Sequence, residues 1–139
     1  MRILGIDFGD TRTGLALSDP TGFLASAIGT ITCTDMTQLA AQIAGKCREL
    51  QAEKIVLGYP KNINGTIGPR AEKSAALAKL LGDLTGLEVV LWDERYTSVS
   101  AMQYMNQSGT KRKKKKGLID TLSAAIILQG YLDMIANTR

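Results

Sequence analysis

Ile3-Leu4-Gly5-Ile6-Asp7-Phe8 is the stretch on which the reading of the chain turns. Apolar residues over about Arg2 to Phe8 make a strand, and Asp7 interrupts it. A carboxylate inside an apolar strand is costly unless it is paired or binds a cation. Gly9-Asp10-Thr11 follows as a turn, and Thr13 to Ser18 as a second strand. Asp19-Pro20-Thr21-Gly22 turns again into a third strand, about Phe23 to Thr32. Connections this short join only antiparallel neighbours. The chain therefore opens as an antiparallel meander with an acid on its first strand.

Further along, the period changes. Leu39, Ile43, Cys47 and Leu50 recur at helical spacing, and Asp35 followed by Gln38 reads as an N-terminal cap. Ile55-Val56-Leu57, within Lys54 to Gly58, is the short continuous apolar run of a buried parallel strand. Tyr59 to Gly68 is a loop rich in Gly, Pro and Asn, and Pro69 suits the first turn of a helix. That helix carries the stripe Leu77, Leu80, Leu81 and Leu84 and stops near Gly86. Glu88 to Trp92 is a fifth strand. A shorter helix near Ser98 to Asn106, a basic loop, and a last helix from about Gly117 to Ala136 complete the order βββαβαβαα. Helices between the later strands act as crossovers and make that part parallel. The expected fold class is α/β: a mixed five-stranded sheet, three antiparallel strands then parallel additions, with helices on both faces. One domain spans residues 1–139.

Composition narrows the chemistry. With 45% hydrophobic and 22% charged residues, the mixture is that of an ordinary globular domain. No apolar stretch approaches the roughly 20 residues that cross a bilayer, and the N-terminus shows no secretory pattern. No membrane partner and a cytoplasmic location are expected. Cys33 and Cys47 are too few and too far apart for a zinc site, and there are 0 histidines to complete one. Cys47 reads as a small core residue, and no disulfide is expected. Without imidazole, any hydrolysis must use carboxylates, lysine or metal-bound water. The net charge of +4 is local: Lys111-Arg112-Lys113-Lys114-Lys115-Lys116 holds six of the 17 basic residues, leaving 11 against 13 acids elsewhere.

The acids form three islands, each where an apolar element meets a loop. They are Asp7, the pair Asp93 and Glu94 after Val89-Val90-Leu91-Trp92, and Asp120 in the first turn of the helix-like stretch Leu118 to Ile135. Hard divalent cations take such oxygen ligands. Strand alternation sends Asp93 and Glu94 to opposite faces, so one of the two reaches the ions directly. Glu94, with its longer arm, is favoured; Asp93 is the alternative and could instead hold Arg95 or a loop amide.

Each assignment has a plainer rival. Asp7 could close the first hairpin, although Asp10 is better placed for that. Arg95 could be a surface ion pair rather than a phosphate clamp. Asp120 could simply complement a helix dipole. Against that, Asp120, Ala124, Ile127 and Tyr131 share one helical face, and Ala124 and Ala125 are small enough for a close approach to the sheet. The lysine run could be a solvated loop, or the source of phosphate contacts.

Four motifs in order carry a family resemblance. They are Asp7-Phe8-Gly9 with Arg12 and Gly14; Gly58-Tyr59-Pro60-Lys61-Asn62-Ile63-Asn64-Gly65; Asp93-Glu94-Arg95-Tyr96-Thr97-Ser98; and Lys116-Gly117-Leu118-Ile119-Asp120 before Ser123-Ala124-Ala125. Together they resemble the YqgF/RuvX family across essentially the whole chain. The resemblance implies an RNase H-like fold related to Holliday junction resolvases. It also implies a bacterial nuclease associated with the 5′ end of the small-subunit ribosomal RNA precursor. Lys61 stands where many relatives carry an apolar residue. Related resolvases place an acid on the strand equivalent to Ile55-Val56-Leu57, and this chain has none there.

The expectation is hydrolysis of a phosphodiester with two Mg2+ or Mn2+ ions held by Asp7, Glu94 and Asp120. Arg12, Lys61, Asn62, Arg95, Lys111, Arg112, Lys113, Lys114, Lys115 and Lys116 would contact the nucleic acid, an rRNA precursor or branched DNA. A monomer or a homodimer would serve. The rivals are a junction resolvase, a non-catalytic RNA-binding module of the same fold, and an ATP-binding protein of the actin and sugar-kinase type.

Overall fold

A computed structural model describes the backbone of residues 1–59, 68–93 and 112–138, and the side chains of these except 112–121 and 138. The elements run β1 (Ile3–Asp7), β2 (Arg12–Ser18), β3 (Ala25–Thr32), α1 (Met36–Leu50), β4 (Lys54–Tyr59), α2 (Pro69–Thr85), β5 (Glu88–Asp93) and α3 (Arg112–Thr138). One five-stranded sheet has the order β3-β2-β1-β4-β5. The meander β1-β2-β3 is antiparallel, while β4 pairs in parallel with β1 on one side and β5 on the other, as the short turns and the crossovers dictate. The strand that carries Asp7 is the central one.

Alternation along the strands builds two cores. Leu4, Ile6, Leu15, Ile55 and Leu57 face α1 and α2, where Leu39, Ile43, Cys47, Leu77 and Leu81 close over them. Ile3, Ala16 and Val56 face the other way, onto Ala124, Ile127, Leu128, Tyr131 and Leu132 of α3. α1 opens on Asp35, whose carboxylate accepts from the Thr37 amide at 3.0 Å, and α2 ends on Gly86 in the left-handed region. Among the described residues no helix is long and apolar enough to cross a membrane.

Three expectations change. Leu84 does not continue the α2 stripe but is 51% exposed, because it borders an open cavity between the ends of α1 and α2. The last helix begins at Arg112 rather than Gly117, so Arg112 and Lys113 to Lys116 are helical and not a loop. Arginine and lysine are good helix formers, and a single interior glycine costs only about 1 kcal/mol. Asp120 consequently lies beyond the first turn, where a helix dipole gives it little, and the capping explanation falls away. The short helix expected near Ser98 to Asn106 lies outside the described residues.

Candidate nuclease site

Asp7 is the last residue of β1, half-buried, and sits opposite Gly14 of β2. Ile3 packs into the α3 core and Gly5 touches α3, so alternation turns Asp7 to the same face. At Gly5 the sheet and the helix come into close contact. A β-carbon built on it would stand 2.7 Å from Leu128 Cβ and 3.1 Å from the Ala124 carbonyl oxygen.

The direction of α3 follows from its contacts. Tyr131 accepts a hydrogen bond from Lys54 Nζ at 3.1 Å, at the start of β4, whereas Ala124 lies over Gly5, farther along β1. Going back toward its N-terminus, α3 therefore runs toward the C-terminal end of β1. From Gly5 to Asp7 is about 6.6 Å along the strand. From Ala124 back to Asp120 is one helical turn, about 6 Å. Both acids are one step past the same contact, in the same direction. The side chain of Asp120 is not among those described.

Asp93 ends β5 opposite Tyr59 and is buried. Val90 and Trp92 pack with α3 while Val89 packs with the α1 and α2 core, so Asp93 turns to the α1 and α2 side. Asp7 and Asp93 thus point to opposite faces of the sheet, with β4 between them. Neither residue is without a partner. Glu94, Arg95, Lys61, Asn62 and Lys111 lie outside the described residues, and the side chains of Arg112 and Lys113 to Lys116 are likewise undescribed. Arg12 opens β2, exposed at the same end of the sheet as Asp7.

Two contacts define the first hairpin. A β-carbon on Gly9 would run into the Arg12 carbonyl oxygen, so this glycine is required by the tight hairpin itself. Asp10 is a surface acid, 3.5 Å from Lys73 Nζ. A cavity of about 230 Å³ lined by Phe8, Asp10, Cys33, Asp35 and Lys73 opens beside it; Phe8, Cys33 and Leu39 belong to the α1 and α2 core. Gly5 escaped the sequence reading: a glycine in an apolar strand is ambiguous until its cross-layer neighbour is known.

Among the described residues no group of three acids, cysteines or histidines could hold a metal ion, and Asp7 is the one member of the expected triad whose side chain is described. The donor set still suits hard cations. It is all carboxylate oxygen, in a chain with 0 histidines whose buried cysteine, Cys47, lies in the core under α1.

The fold has solved counterparts. RuvC of Thermus thermophilus, in complex with Holliday junction substrate, superposes with a TM-score of 0.64 at 13% identity, covering 96% of each chain. The ROK hexokinase from Thermus thermophilus gives a TM-score of 0.50 at 18% identity over 75% of this chain, but only 39% of the kinase is covered. A relative from Ruminiclostridium cellulolyticum, which bears the name "Putative pre-16S rRNA nuclease", is 47% identical over 140 residues, covering 100% of this chain and 99% of the relative. The family model described as "RuvX: Holliday junction resolvase" matches residues 1–134. With nearly the whole length matched, the chain belongs to the RuvX family and has its RNase H-like fold.

Proposed function

We propose that the chain is a divalent-metal-dependent endonuclease that hydrolyses phosphodiester bonds of a ribosomal RNA precursor in the cytoplasm. The observation that carries this reading is Asp7: a half-buried acid at the end of the central strand, on the face covered by the helix that bears Asp120. Glu94 rather than Asp93 would complete the set, because alternation along β5 turns Asp93 to the opposite face. Asp7, Glu94 and Asp120 would hold two Mg2+ or Mn2+ ions. Bound there, the ions supply Lewis acidity to the phosphoryl oxygens and lower the pKa of the attacking water. Arg95, Lys61 and Asn62 would bind the neighbouring sugar-phosphate backbone, and Arg12 and the basic start of α3 would hold more distant phosphates.

The rRNA substrate rests on the full-length relative's name. Branched DNA is the second reading, favoured by the family's description. The kinase rival loses ground because the matched family model and the full-length relative both bear the names of nucleic-acid enzymes.

A cleavage assay that offers an rRNA precursor and a four-way junction, with and without Mg2+, tests the proposal. The parent is expected to cut the precursor only with metal. Asp7→Asn is expected to fold, bind RNA and cut at least about 100-fold more slowly. Equal cutting by Asp7→Asn would remove the acid from the mechanism. RNA binding with no turnover by the parent at any metal concentration would make the chain a binding module.

A further inference from the structure

Gly5 is fully buried, and its place between strand and helix leaves no room for a side chain. The atom that a β-carbon would meet at 2.7 Å is Leu128 Cβ, which is fixed to the helix backbone and cannot rotate away. The next is a backbone oxygen, Ala124 O, at 3.1 Å. Carbon atoms settle at about 3.5–4.0 Å, so relieving the clash requires α3 itself to move out by about 1 Å. Leu128 and Ala124 are both at 0% exposure, and the core around them has no slack to take up that shift.

The consequence falls on the site. Asp7 and Asp120 are each one step from this contact, one on the strand and one on the helix. We infer that Gly5 is a positioning residue: by bringing α3 against β1 it sets the spacing across which Asp7 and Asp120 share a metal ion. The inference rests on the proposed metal site. It goes further in naming a residue with no donor atom as the one that adjusts the site to small ions. Mg2+ demands near-ideal geometry at about 2.0–2.1 Å, whereas Ca2+ accepts a longer, flexible shell of about 2.3–2.6 Å. A displacement of about 1 Å therefore discriminates between the two ions, which a general loss of stability does not.

The test is calorimetric titration of Mg2+ and Ca2+ into the full chain, with urea unfolding run alongside. Gly5→Ala is compared with the parent and with Gly45→Ala, a helical position where an added β-carbon meets nothing within 4 Å. Expected for Gly5→Ala is a Kd for Mg2+ raised about tenfold or more, with the Kd for Ca2+ changed less than about threefold. Gly45→Ala should leave both unchanged. Should Gly5→Ala not fold, Leu128→Ile branches the side chain at the very Cβ that faces Gly5 and should shift Mg2+ in the same direction. An Mg2+ affinity within about twofold of the parent in whichever variant folds would overturn the inference. So would equal weakening of both ions. A parent that binds neither ion and cuts nothing with metal would instead remove the nuclease reading on which the inference stands.

Discussion

Gln129 of α3 completes the edge of the sheet as though it were a piece of strand: its Oε1 accepts from the Ala25 amide at 2.9 Å, while its Nε2 donates to the Phe23 carbonyl at 2.9 Å. The side chain thus ties the helix to the first residue of β3 and to Phe23 just before it, more than a hundred positions away in sequence. Each such bond contributes about 1 kcal/mol net, and more when its loss strands a sheltered amide. Gln129→Ala should lower stability by about 1–2 kcal/mol in urea unfolding. A midpoint indistinguishable from the parent's would show that water replaces both bonds freely.

Thr13 offers a change in the other direction. It is fully buried on β2, and among the described residues its Oγ1 has no hydrogen-bond partner. A hydroxyl desolvated without compensation costs about 1–3 kcal/mol on mutational scales. Thr13→Val keeps the β-branched shape and should raise stability by about 1 kcal/mol. A destabilised variant would mean that the hydroxyl has a partner in solution.

The two thiols should behave differently. Burial in the core pushes the Cys47 pKa up from 9.0 to about 11, while Cys33 is only partly covered. A rise of that size leaves on the order of 100-fold less thiolate at pH 8. Alkylation of the native protein followed by mass spectrometry should mark Cys33 and spare Cys47, with both marked in urea. The sign of the linkage is fixed as well. The neutral thiol is the form that the fold favours, so its contribution is complete below pH 9.0 and is lost as the pH climbs toward about 11. Cys47→Ala should flatten that alkaline decline. A decline of undiminished steepness would assign it to other groups.

The helical course of residues 112–116 bears on salt dependence. Five consecutive cations at a helix start repel one another and oppose the dipole, an arrangement that anions relieve. On single-stranded RNA, replacing Lys113, Lys114, Lys115 and Lys116 by alanine should reduce the slope of log K against log salt by up to about 3. Parallel salt plots for parent and variant would show that these lysines contact no phosphate.

Much of the fold was legible because local rules and tertiary structure agree. Turns as short as Gly9-Asp10-Thr11 and Asp19-Pro20-Thr21-Gly22 leave no alternative to a meander, and Ile55-Val56-Leu57 suits only a strand covered on both sides. Where the reading failed, long-range packing decides. Leu84 has the helical period but lines an open cavity with Ala44, Cys47 and Leu87 instead of closing over the sheet. Gly117 looked like a helix boundary only because glycine was read without the helix formers before it. For the site, alternation along β5 was legible and turns Asp93 to the α1 and α2 side, whereas the tight contact at Gly5 depends on Leu128, which no local pattern connects to it. That Asp7 and the backbone of Asp120 lie toward the same end of the sheet is legible only once the course of α3 is known.

Trp92 is the only tryptophan of the chain, and it sits edge-on to Tyr131 at 5.8 Å, with the position of a β-carbon on Gly130 only 3.3 Å from its Nε1. Its indole therefore lies against the same helix whose seating decides the distance between the acids, two positions before Glu94. The protein carries its own optical gauge: emission excited at the red edge of the indole band should report any lifting of α3, in real time and without a label.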